Sequence, residues 1–69
     1  MERTPVESSN IQSVGYSEET QTLEVEFKGG NVYQYFDVPT SVHLSLMQAD
    51  SLGVFFSSAI RGVYRFARV

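Results

Sequence analysis

The sequence predicts an α+β domain, a three-stranded antiparallel meander covered on one face by two short helices. Three observations carry that prediction. Leu23, Val25 and Phe27 alternate with Thr22, Glu24, Glu26 and Lys28, and a period of two sends the apolar side chains to one side of a strand. Gly29-Gly30 follows at once and then Val32 to Phe36 resumes with β-branched and aromatic residues, so a tight reversal joins two strands. Leu52, Phe55, Phe56, Ala59 and Ile60 fall at i, i+3, i+4, i+7 and i+8, one full stripe of an amphipathic helix.

Size and composition narrow the function classes. The chain has 69 residues, one domain's worth, and a chain this short buries only about 60% of its extended surface. Five Phe and four Tyr within a 42% hydrophobic composition suffice for one core. There is no cysteine, so neither a disulfide nor a thiolate zinc site braces it. Residues 1–7 lack the apolar stretch of a signal peptide, and no apolar run approaches the roughly 20 residues that span a bilayer. The expectation is a cytoplasmic protein without a membrane partner.

The net charge is −3, and it is unevenly spread. Residues 1–50 hold all eight acids with only Arg3 and Lys28, whereas residues 51–69 hold Arg61, Arg65 and Arg68 and no acid. The basic tail either neutralises the acidic strands or forms an anion-binding patch.

Residues 1–9, with Pro5 and Ser8-Ser9, read as a loose lead-in, and 10–69 as the domain proper. Ile11 to Tyr16 is the first strand. Gly15 inside it marks a bulge or a close backbone approach. Ser17 to Thr20 turns into the main hairpin. That hairpin has two registers. With Gly29-Gly30 as a two-residue loop, Tyr33 and Tyr35 join Glu24 and Glu26 on the outer face. With Lys28-Gly29-Gly30 as a three-residue loop, Val25 faces Tyr33, Leu23 faces Tyr35, and both tyrosines turn to the core. The second suits two tyrosines on a small domain better, but the sequence admits both.

Pro39 starts a short helix over residues 40–49. Its apolar spacing is mixed, since Val42, Leu44 and Leu46 alternate while Val42, Leu46 and Ala49 step helically. Asp50-Ser51 caps the second helix and Gly62 stands at its end, with Arg61 in the last turn. Residues 63–69 either add a strand or lie along the sheet. If extended, Tyr64, Phe66 and Arg68 share one side.

The order of these landmarks resembles a known family. Ser8-Ser9-Asn10-Ile11, Val14-Gly15-Tyr16, Leu23 to Phe27, Tyr33-Gln34-Tyr35 and Val38-Pro39 come first. Gly53-Val54-Phe55-Phe56, Ile60-Arg61-Gly62 and the stretch from Tyr64 to Arg68-Val69 complete it. Together they resemble the KTSC domain, named after a C-terminal segment on some lysyl-tRNA synthetases. The resemblance implies a contact module with RNA as a candidate partner. It carries over the tyrosines and the arginine-bearing tail as candidate contacts.

RNA contact needs phosphate neutralisation and aromatic faces for bases. The candidates are Tyr33, Tyr35, Tyr64, Arg61, Arg65, Arg68 and Lys28. An acidic chain weighs against them, and Lys28 to Tyr35 is not the aromatic element of an RNA-recognition sheet. The alternative partner is a protein or a second copy, paired along a free strand edge. Enzymatic activity is not expected, and neither is a cofactor or a metal. His43 is the single histidine, no nucleophile elbow or phosphate loop is present, and Glu24 and Glu26 read as solvating acids on an exposed strand face.

Overall fold

The structure, a computed structural model, describes residues 1–69. Its elements in chain order are β1 (Arg3–Pro5), β2 (Ile11–Ser17), β3 (Thr22–Phe27), β4 (Val32–Tyr35), α1 (Thr40–Gln48), α2 (Leu52–Ala59) and β5 (Phe66–Arg68). The sheet has five antiparallel strands in the order β1-β2-β3-β4-β5. The meander is therefore longer than the expected three strands, and it gains one strand at each edge.

The β1 strand corrects the reading of residues 1–9 as a loose lead-in. Arg3, Thr4 and Pro5 pair with Gly15, Val14 and Ser13. All three are exposed, so no apolar alternation betrays them. Pro5 sits where proline is tolerated, on an edge strand. Gly15 explains how β1 fits. A Cβ built there would stand 2.5 Å from the Glu2 carbonyl oxygen and 3.0 Å from Arg3 Cγ. The glycine thus marks a close approach, and the bulge lies elsewhere, between Ile11 and Ser13.

The hairpin adopts the three-residue register. Leu23 pairs with Tyr35 and Val25 with Tyr33. The Phe27 amide donates to the Asn31 carbonyl at 2.8 Å and the Gly30 amide to the Phe27 carbonyl at 3.0 Å. Gly29 and Gly30 both take positive φ, at 106° and 100°, which residues with a Cβ adopt at a cost.

The core lies between the sheet and the helices. Ile11, Val14, Leu23, Val25 and Tyr35 from the strands meet Val38, Leu46, Leu52, Phe56 and Ile60. On α1 the helical stepping prevails, for Leu46 is buried and Leu44 is exposed. On α2 the stripe turns inward as its spacing requires. Phe56 is buried and Phe55 half-buried, while Val54, Ser57 and Ser58 face solvent. Ser51 caps the helix by accepting the Val54 amide. The helix ends at Ala59, so Arg61 lies beyond its last turn, and Gly62 takes φ 79° in the turn that follows. Tyr16 ties the helices to the sheet by donating its hydroxyl to the Val38 carbonyl.

The outer face of the sheet carries a polar network in place of solvated acids. Glu24 is only 8% exposed. It accepts from Gln34 of β4 at 2.8 Å and from the Arg3 guanidinium of β1. Ser13 joins it, accepting from Arg3 and donating to Glu26. The expectation that Glu24 merely solvates the strand fails because β1 delivers a cation across β2. The hydrogen bond from Gln34, followed by those from Arg3, outweighs burial and holds the Glu24 carboxyl below its ordinary range.

A pH dependence follows. The native state keeps Glu24 ionised where the unfolded chain would protonate it, so stability is full above the ordinary glutamate value of 4.5 and falls below it. His43 adds an earlier step. Its ring stacks on Tyr16 with centroids 4.5 Å apart, and burial lowers its pKa against a smaller opposing pull from Glu18. Protonation on acidification therefore favours unfolding from about pH 6.5 downward. Denaturant midpoints should fall with pH in both windows. His43→Phe should flatten the upper one and Glu24→Gln the lower. Unchanged slopes in these variants would contradict the assignment.

Candidate functional site

Five aromatic rings close a circuit at the β4–β5 end of the core face. Phe27 lies 5.8 Å from Tyr33, Tyr33 5.8 Å from Phe66, Phe66 5.7 Å from Tyr35, Tyr35 5.4 Å from Phe56, and Phe56 5.6 Å from Phe27. Three of these contacts are edge-on, the geometry that ring quadrupoles favour. The circuit exists because β5 lays Phe66 opposite Tyr35 and Arg68 opposite Tyr33. A groove of about 540 Å³ opens over these rings, rimmed by Asn10, Asn31, Arg61 and Gly62.

The candidate residues separate clearly. Tyr33 lines the groove half-buried. Tyr35 lines it but is 5% exposed, which corrects its reading as a platform for a base. No buried side-chain polar atom lacks a partner, so the Tyr35 hydroxyl opens to the groove. Burial raises its pKa, opposed by the charge of nearby Arg61, and the phenol stays neutral. Arg61 is exposed on the rim and has no acidic partner. Arg68 joins through Asn31, whose Oδ1 accepts from its guanidinium at 2.7 Å. Lys28 stands at the Asn10 end, its amide donating to the Asn10 carbonyl at 2.9 Å.

Two candidates lie elsewhere. Arg65 pairs with Asp37 at 2.9 Å and covers the Phe36 ring at 5.6 Å. Tyr64 is half-buried against the core. The sequence reading missed Phe66, the exposed ring that faces both groove tyrosines, together with Phe27, Asn10 and Asn31. The available signal was the shared side of Tyr64, Phe66 and Arg68, which has the same period of two as Tyr33 and Tyr35.

None of the eight acids of the chain lines this groove. Locally it is apolar and positive on a chain of charge −3. No group of three or more His, Asp or Glu side chains gathers for a metal, and no helix is long and apolar enough to cross a membrane.

The KTSC domain model matches residues 7–64. The chain belongs to the KTSC family. A KTSC domain protein from Yersinia pestis, known from its crystal structure, superposes with a TM-score of 0.93 at 39% identity, covering 99% of this chain and 96% of that one. An uncharacterized protein of Stutzerimonas stutzeri is 43% identical over all of this KTSC chain and 99% of its own length. A lysine–tRNA ligase of Nostoc punctiforme is 43% identical over 91% of this chain. The KTSC domain spans 11% of that ligase.

Proposed function

We propose that this KTSC domain works by contact and not by catalysis, holding single-stranded RNA in the aromatic groove. The observation that carries the reading is an acid-free groove, with aromatic walls and an unpaired Arg61, on an acidic protein. Aromatic faces accept unstacked bases and arginines neutralise the adjoining phosphates. The likeness to a lysine–tRNA ligase supports a setting where RNA is at hand. Arg61 is the cation on the rim, Arg68 stands next to it through Asn31, and Tyr33 and Phe66 are the accessible rings.

Labelled single-stranded RNA and tRNA titrated across a salt series test this. Affinity should fall as salt rises. In the Arg61→Ala/Arg68→Ala double variant it should drop, with the salt slope reduced by about two, one for each lost phosphate contact. Arg65→Ala should leave both unchanged, because Arg65 is engaged with Asp37 away from the groove. Absence of binding at low salt removes the reading.

A second reading rests on the β5 edge. Phe66 on that strand and Val69 just after it are 58% and 70% exposed, apolar surface suited to a protein or a second copy. Strand pairing would have to use β1 or β5, three residues each, because they cover the edges expected on β2 and β4. A concentration-dependent dimer without RNA binding favours this alternative.

A further inference from the structure

The groove holds a hydroxyl without a partner. Tyr16 spends its phenol on the Val38 carbonyl. The Tyr35 phenol, on a residue only 5% exposed, bonds to nothing in the protein, and since every fully buried polar side-chain atom is satisfied it opens to the groove that Tyr35 lines. The ring itself is held by Phe56 at 5.4 Å and Phe66 at 5.7 Å. Arg61 is brought to the same place by the turn that ends α2. Its amide donates to the carbonyl of Phe56 at 3.0 Å, which ties it to the residue whose ring packs on Tyr35. Arg61 lines the same groove, and no acid lies there to pair with it. The two side chains sense each other, for burial raises the Tyr35 pKa and the charge of Arg61 opposes that rise. The phenol stays a neutral donor, and an anion beside it meets a positive charge.

We infer that the Tyr35 hydroxyl and Arg61 together hold one phosphate of the bound strand, the first by a hydrogen bond and the second by charge. The inference rests on the RNA reading above. A phosphate oxygen accepts from both groups, and a bond to an ionised acceptor is the stronger kind. Tyr35 is too deeply set to offer a ring face to a base, so its hydroxyl is the part of it that a ligand meets. The more accessible rings of Tyr33 and Phe66 are left for stacking.

Tyr35→Phe gives the test, because it deletes one oxygen and keeps the ring among its neighbours. The denaturant midpoint should match that of the parent, since the hydroxyl holds nothing in the free protein. A lowered midpoint would mean an internal partner and would overturn the inference. Affinity for labelled single-stranded RNA at low salt should fall about tenfold, the ordinary worth of one hydrogen bond to a charged group. The salt slope should stay at the parent value, because a neutral phenol releases no counterions, whereas Arg61→Ala lowers it by about one. With Arg61 already replaced by Ala the phosphate is no longer kept at the hydroxyl, so adding Tyr35→Phe should cost about twofold or less. Unchanged affinity in Tyr35→Phe, or the full loss persisting in the Arg61→Ala background, overturns the inference while salt-sensitive RNA binding still stands. If the parent protein binds no RNA at low salt, the RNA reading falls and the inference with it.

Discussion

Phe56→Ala should leave much of the population unfolded. Phe56 is 2% exposed and packs edge-on against both Phe27 and Tyr35. Removing such a ring costs about 3–5 kcal/mol, transfer and cavity together. A domain of this length holds on the order of 3–10 kcal/mol in total. One substitution therefore takes a large part of the reserve, and a small core has few neighbours able to collapse into the void. The half-buried Phe55 is a milder case, and Phe55→Ala should cost about 1–2 kcal/mol. Denaturant titration followed by far-UV circular dichroism measures both. A Phe56→Ala midpoint equal to that of the parent would remove the packing scheme described here.

Gly15→Ala should unseat the first strand. The added methyl would meet backbone, the Glu2 carbonyl, and not a flexible side-chain end, so β1 has to lift. Overpacking of this kind costs about 1–3 kcal/mol. The Arg3 contacts to Glu24 and Glu26 go with the strand, and Glu24 is left in a nearly closed position without its cation. Arg3→Ala alone removes the same ion pairs by another route. The two changes should therefore combine to much less than the sum of their separate effects. A double-mutant cycle that comes out additive would show that Gly15 and Arg3 act independently.

The parts of this fold legible in the sequence are those with period and punctuation. The Leu23–Phe27 alternation, the glycine pair and the stripe from Leu52 to Ile60 each force a local structure, and all three stand as expected. The hairpin register was legible only as a choice, since Gly29 and Gly30 satisfy either loop. Of the two edge strands, β5 was legible as one of two choices for residues 63–69, whereas β1 was hidden. Both are short and exposed on every residue, so burial leaves no mark on their composition. Glu24 looked like a surface acid because its partner, Arg3, lies 21 residues away. The groove was half visible. Its tyrosines and arginines stood out by type, whereas Asn10 and Asn31 reach the rim only through the fold, which no local pattern encodes.

A sheet whose strands follow chain order leads its two ends out in different directions. Across five strands spaced about 4.8 Å apart, the outer two lie about 19 Å from each other. Met1 and Glu2 cross the back of the sheet over Gly15, while Val69 leaves beside β4, its amide bonded to the Val32 carbonyl next to the rim residue Asn31. A polypeptide fused ahead of Met1 is thus carried behind the domain and leaves the aromatic mouth unobstructed. One fused after Val69 emerges at the lip and would shadow it.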